Sequence, residues 1–592
     1  MRSLVCFALL VIARIAYSEE EKTLSCADIE KNFVAEFNYY KQPVCICADR
    51  GIFSTINGFA VECESASITT VAENLQTLNG TVLGALTIRD STVNILPVDI
   101  FENVYSKQLK LERCGIASIE ARTFGTIGES LEYMSLRDNR LKTLKTGLFE
   151  SLQKVKTMDL TGNKIMEIED GAFRKLKNVQ ELLLSGSVLE ELRPGMFQGL
   201  KGLKKLNLET CSIKRIQKGT FDALESLEQL ILADNEIETL DWSIFANMKN
   251  LKILDLGSNK LQNVEIKSLK NLEKLILNNN EIDSMKNIKL KDLPSLIVAM
   301  VDRNKIKTIG DKDMIGFTRS EKIETLSLAW NNISQIGQKA FQYLPDLVTL
   351  LLQNNQLNEL STNTVPFLAT FKKLTTLQVS TNNLTVIRIG ELPKSLINLA
   401  LDHNTIHRIE PRAFEGMSLK RIYLHSNKLQ FLYPGAFDSF APSSLEAIDV
   451  SLNNWQCVCK DPLEWLPSWL AAAEESDVSE GPVGCLAIPG CGSGGVVEEF
   501  EEEEEVVRAG WITVAATILT VVTILIMVVI AMLYFKDYRH QYTLRGRRSD
   551  SDLHKLIEND PLNLPSDSIL VVPAMPKKNT GPKKSVRFQQ AY

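Results

Sequence analysis

One spacing constrains this chain more than any other feature. From about residue 83 to residue 455 the pattern L-x-x-L-x-L-x-x-N-x-L returns every 21 to 27 residues, most often every 24. A clear copy is Leu251-Lys-Ile-Leu254-Asp-Leu256-Gly-Ser-Asn259-Lys-Leu261. The Asn-type position falls at Ser91, Cys114, Asn139, Asn163, Ser187, Cys211, Asn235, Asn259, Asn280, Asn304, Asn331, Asn355, Asn382, Asn404, Asn427 and Asn453, which makes sixteen repeats. A single copy cannot bury its own leucines, whereas stacked copies share one continuous core. The expectation is therefore one α/β solenoid in which each repeat supplies a short strand to a parallel sheet. The Asn side chain is expected to hydrogen-bond the backbone where the chain leaves the strand. Cys114 and Cys211 take that same inward position and are expected to be free buried thiols that pack as small hydrophobes.

The returning segments carry a second signature, as in Asp170-Gly-Ala-Phe173, Pro194-Gly-Met-Phe197, Lys218-Gly-Thr-Phe221 and Pro434-Gly-Ala-Phe437. These phenylalanines are expected to fill the convex side of the core. Solenoid ends expose core and need covers. Cys26, Cys45, Cys47 and Cys63 stand before the repeats, and Cys457, Cys459, Cys485 and Cys491 stand after them. Two groups of four read as disulfide caps, and the absence of His near either group argues against zinc. The run Asn453-Asn-Trp455-Gln-Cys457-Val-Cys459 resembles the C-terminal cap of extracellular leucine-rich repeat proteins, and residues 26–63 resemble the matching N-terminal cap. Over residues 26–491 the chain looks like the type I leucine-rich repeat adhesion and receptor proteins, with Toll-like and Slit-like ectodomains among them. The resemblance implies a horseshoe with a concave parallel sheet. It also implies pairing of first with third and second with fourth cap cysteine, which gives Cys457–Cys485 and Cys459–Cys491. Eighteen residues separate Cys26 from Cys45 and only five separate Cys485 from Cys491, unlike the usual caps, so the connectivity stays open.

Outside the repeats, residues 1–18 read as a signal peptide: Arg2, an apolar run from Leu4, and Ala16-Tyr17-Ser18 ahead of the cleavage point. Residues 19–82 form the N-terminal cap, 83–455 the repeats, 456–491 the C-terminal cap and 492–508 an acidic, self-repelling stalk. No charged residue occurs from Ala509 to Phe535, long enough for a transmembrane helix. Lys536, Arg539, Arg545, Arg547 and Arg548 follow it, so the positive-inside rule places residues 536–592 in the cytoplasm. This reading makes the chain a single-pass type I protein of the plasma membrane. Sequons at Asn79, Asn332 and Asn383 are then expected to carry glycans. The net charge is −7 although the tail is basic, so the body is acidic and unsuited to nucleic acid.

The tail is expected to be disordered and too short for a Toll-type signalling domain. Asp552, Leu556 and Ile557 fit an acidic dileucine sorting motif for a clathrin adaptor, and Lys584, Val586 and Phe588 resemble a docking motif for the type-1 phosphatase.

No P-loop, nucleophile elbow or HExxH motif is present, and no catalytic residue, cofactor or metal is expected. His403 and His407 straddle a strand end, while Asp402 and His425 read as lateral neighbours, either a plain surface contact or a pH-sensitive pair. Function is expected on the concave sheet. Along the outward column most residues are polar, but Ile276, Met300 and Leu351 break the pattern, with Trp330 just beyond Ser327. That apolar patch, about 15 Å wide at ~4.8 Å per strand, and the outward Tyr423 are the expected ligand-binding residues. The expected role is a cell-surface adhesion molecule or receptor for an extracellular or cell-surface protein ligand. The alternatives are an innate-immune recognition or decoy receptor for microbial ligands and a membrane anchor for cytoplasmic phosphatase.

Overall fold

The computed structural model describes residues 25–33, 43–49, 58–78 and 80–455 apart from 318, 321, 363, 364, 369 and 370, and then residues 465–471 and 477–478. Its backbone is the expected solenoid. Nineteen described strands form one sheet. Sixteen of them come from the repeats, starting with Val82–Arg89 and ending with Ala447–Asp449. Most are three residues long because L-x-x-L-x-L presents only that many consecutive positions before the chain turns. In Ile253–Asp255 the middle residue, Leu254, is fully buried while its two neighbours face outward. Neighbouring repeats pair in parallel and in register, Leu254 opposite Leu275 and Leu230.

The asparagine column holds the register. Asn259 Oδ1 accepts the Ile237 N–H at 3.0 Å, and its Nδ2 donates to the carbonyls of Leu232, Leu256 and Gly257 at 2.9, 3.1 and 3.0 Å. Asn235, Asn280, Asn304, Asn331, Asn355, Asn382, Asn404 and Asn427 repeat the pattern. Each amide thus satisfies backbone groups that the turn would otherwise bury unpaired. Cys114 and Cys211 are free and buried at this position, as expected. Their thiols face carbonyls instead, Cys211 Sγ lying 3.3 Å from Leu184 O.

A second regularity accompanies the first. The residue just before the Asn-type position has a left-handed backbone in every repeat: Arg113, Asp138, Asp234, Ser258, Arg303, Trp330, Thr381 and His403 are examples, with Gly162 and Gly186 in two copies. The chain needs that reversal to leave the strand, and most repeats accept it on a residue with a side chain.

On the other side of the core runs a column of buried phenylalanines, among them Phe149, Phe173, Phe197 and Phe221. Phe149 and Phe173 stack with ring centroids 6.0 Å apart. The N-terminal cap joins the sheet instead of only covering it. Phe59–Glu64 pairs in parallel with Val82–Arg89 and antiparallel with Cys45–Asp49. That antiparallel pair sets Cys45 opposite Cys63, and the two are bonded, as are Cys26 and Cys47. The first-with-third and second-with-fourth order implied by the family resemblance holds here. At the far end Trp469 lies 5.0 Å from the ring of Phe437 and 6.0 Å from that of Phe440, and so covers the end of the phenylalanine column. Cys457, Cys459, Cys485 and Cys491 lie outside the described residues.

Candidate functional site

The sheet face presents the expected column. Ile276 pairs laterally with Met300, Met300 with Ser327, and Ser327 with Leu351, so three apolar side chains fall within four consecutive strands. All three are half-buried. Val298 and the exposed Ile297 extend the apolar character toward the strand's start. Ser327 is buried, its hydroxyl held by the Asp302 carboxylate.

Trp330 is the prominent exposed group, with 50% of its surface accessible. Its left-handed backbone and the Trp330 N–H donated to Gln353 O at 2.9 Å hold it at the strand exit. Its ring faces the Arg303 guanidinium, whose central carbon stands 4.6 Å from the ring centroid. Arg303 occupies the same position one repeat earlier, and a guanidinium over an indole is a cation–π contact. Beside it, burial raises the Asp302 carboxyl above its ordinary range, although the Ser327 hydroxyl and the Ala329 N–H at 2.9 Å act in the opposite sense. The site therefore combines an apolar strip, a stacked Trp330–Arg303 pair and a partly buried acid. Arg303 and Asp302 escaped the sequence reading, which followed a single column, while both stand in the two columns beside it.

Tyr423 is half-buried but does not join this group. Gln378 and Ala400 stand between Leu351 and Tyr423 in the lateral register. Around it the sheet is polar, with Lys420 paired to Glu446 at 3.0 Å. Asn332 and Asn383 are exposed directly after a buried ladder asparagine, whereas Asn79 lies outside the described residues. The sorting motif Asp552, Leu556 and Ile557 and the docking motif Lys584, Val586 and Phe588 also lie outside them.

Near the C-terminal end of the repeats the expected Asp402–His425 neighbours meet, with Oδ2 and Nε2 3.7 Å apart, and two further groups join them. His403 Nδ1 is 3.0 Å from the same Asp402 oxygen, and Asp449 Oδ2 is 3.2 Å from His425 Nδ1. His407 is exposed and takes no part. His403 escaped the sequence reading because pairing it with His407 looked along the chain, whereas its partner lies across the sheet.

The repeats match a known family. A family model described as leucine rich repeat matches residues 107–165, 129–189, 153–213, 180–237, 226–282, 372–429 and 394–454. Over 594 aligned residues the chain is 75% identical to "P-granule-associated novel protein 1" of Caenorhabditis elegans, covering 100% of both chains. It is 38% identical to lumican of Homo sapiens over 133 residues, 22% of this chain and 38% of lumican. Among solved structures, a leucine-rich repeat protein of Leptospira interrogans matches 70% of this chain and 99% of its own at 20% identity and a TM-score of 0.47.

The expected plasma-membrane address is corrected by the relative that is 75% identical, since its name records association with P granules. The physical reason is plain. An apolar run of sufficient length states that a segment can cross a bilayer, not where the protein resides. Among the described residues no helix is long and apolar enough to cross a membrane. Residues 509–535, where the transmembrane helix was expected, lie outside them.

Proposed function

The chain belongs to the family of P-granule-associated novel protein 1, and on that premise we propose that it is a non-enzymatic scaffold that binds a protein partner on its concave sheet in association with P granules. The carrying observation is the strip of Ile276, Met300 and Leu351 within four consecutive strands, beside the exposed Trp330, on a face whose outward column is mostly polar. Apolar groups gathered on a solvated face mark interaction surfaces more often than scattered ones do, and tryptophan and arginine are enriched among residues that dominate binding energy. Tyr423 serves as a separate, more distant contact for a long partner.

The test is a Trp330→Ala, Met300→Glu double variant expressed in place of the native chain. Loss of partner co-purification and of granule association, with an unchanged melting temperature, supports the reading. Full association by the double variant moves the site off this face. An adhesion or receptor role required a cell-surface address and is set aside with it.

Residues 1–18 act as a signal segment, and 509–535 as a bilayer-spanning tether between the acidic stretch 492–508 and the tail 536–592, with no particular membrane assigned. Cys457, Cys459, Cys485 and Cys491 bridge the C-terminal cap of residues 456–491, and Asn79, Asn332 and Asn383 accept glycans if they meet the glycosylation machinery. Asp552, Leu556 and Ile557 would engage a clathrin adaptor, and Lys584, Val586 and Phe588 the type-1 phosphatase. Alkaline extraction of membranes tests the tether: a chain recovered wholly in the soluble fraction ends that reading.

A further inference from the structure

We propose that Asp402, His403 and His425 bind a divalent transition ion of the zinc class, with Asp449 as the carboxylate that orients His425. Three repeats contribute. Asp402 and His425 stand two residues before Asn404 and Asn427 in adjacent repeats, so the parallel sheet sets them side by side. His403 occupies the left-handed position, and its N–H donates to His425 O at 3.0 Å, which ties the two histidine-bearing turns together. The next strand brings Asp449 opposite Tyr423.

The donor atoms already lie near ligand spacing. One atom from each of Asp402, His403 and His425 lies within 4.8 Å of the others. Asp402 Oδ2 is 3.0 Å from His403 Nδ1 and 3.7 Å from His425 Nε2. Around a tetrahedral zinc with bonds of about 2.0–2.1 Å, neighbouring donors are roughly 3.3 Å apart. Those two separations bracket that value, and the remaining pair of donors, one from each histidine, lies within 4.8 Å. The imidazole rings meet edge to face with centroids 5.0 Å apart.

The surroundings orient each ligand. Ser380 Oγ donates to Asp402 Oδ1 at 2.6 Å, which leaves Oδ2 to face both histidines. His425 Nδ1 is buried and has no well-aligned hydrogen-bond acceptor, yet Asp449 Oδ2 stands 3.2 Å away. The other Asp449 oxygen accepts from the Ser451 N–H and hydroxyl at 2.9 and 2.7 Å. A carboxylate behind one imidazole nitrogen, with the other nitrogen aimed at a shared centre, is the arrangement that fixes metal-bound histidines.

Donor chemistry selects the ion. Two imidazoles and one carboxylate suit zinc, cobalt, nickel or copper, whereas calcium and magnesium call for oxygen ligands. Two carboxylates within this cluster favour a cation on electrostatic grounds. The His403 side chain is 56% exposed, so the remaining coordination position opens toward solvent. A partner on the same face would find a Lewis acid there.

The test uses the full-length chain, stripped with chelator and titrated with Co²⁺ and then Zn²⁺. One equivalent should bind, giving the visible absorption of low-coordinate cobalt without a thiolate band, and Zn²⁺ should displace it. His403→Gln and His425→Gln should each abolish that spectrum. Asp449→Asn should weaken Zn²⁺ binding about 10–100-fold, and His407→Gln should leave it unchanged. Melting curves without metal confirm folding, and His403→Gln, at an exposed side chain, keeps the test valid if a buried variant fails. Absence of binding at micromolar Zn²⁺, a thiolate band, or equal binding by wild type and His403→Gln overturns the proposal.

Discussion

Asn259 Oδ1 accepts the N–H of Ile237, 22 residues earlier, at 3.0 Å, so a side chain of one repeat completes the backbone of the repeat before it. Loss of this amide strands several buried backbone groups at once. Asn259→Leu is expected to lower stability by about 2–4 kcal/mol, since each unsatisfied buried polar group costs about 1–3 kcal/mol. Urea unfolding gives the number. Hydrogen exchange at the Ile237 amide gives the location, and unchanged protection there would show that the bond carries no weight.

Burial pushes the Cys114 thiol up to about 11 and the Cys211 thiol up to about 12. The thiolate is the reactive form, so both should resist iodoacetamide at neutral pH in the folded chain. Peptide mapping should find them alkylated only after denaturation. Rapid labelling of either under native conditions would contradict their burial in the core.

Asp302 supplies a pH dependence with a definite sign. Burial is the largest influence on its carboxyl and raises it in the folded state. An acid raised on folding contributes stability below its unfolded value, and that contribution is lost as pH rises through the folded value. Asp302→Asn keeps an oxygen for Ser327 and Ala329 while removing the buried charge. It should therefore hold or increase stability at pH 7, by about 1 kcal/mol, and show no gain at pH 3. A marked loss at pH 7 would mean that the charge itself is needed.

The Trp330–Arg303 contact is open to a double-mutant cycle. Single replacements by Ala and the pair should reveal a coupling of about 0.5–1 kcal/mol, the range for exposed cation–π contacts. In the partner-binding assay Arg303→Ala should weaken capture less than Trp330→Ala, because the ring remains. Equal and additive losses would show two independent contacts.

The periodic part of the molecule was open to reading because its physics is one-dimensional. Leu254 and its equivalents mark inward positions, Asn259 and its equivalents mark turns, and Phe173 and its equivalents mark the opposite wall. Lateral relations were harder, since they require two columns to be followed together. Trp330 was visible as an apolar residue in a polar setting, but Arg303 over its ring was not. Asp402 and His425 share a column and were paired, whereas His403 and Asp449 enter from neighbouring columns. The N-terminal disulfide order could not be read from spacing, because it follows from the antiparallel register that sets Cys45 against Cys63. Apolar length could suggest a membrane segment but could not state an address.

The left-handed residue ahead of each ladder asparagine has a consequence for how such a surface can diversify. Its backbone is dictated by the exit from the strand, while the side chain is free of the core. Arg113, Asp234, Asn279, Trp330, Thr381, His403 and Leu452 all share this backbone and differ in chemistry. Strand spacing of about 4.8 Å makes the column a ruler with one rewritable mark per repeat. Trp330 and His403 are two such marks. A new specificity can therefore arise by exchanging single marks, with the leucine core and asparagine ladder beneath left untouched.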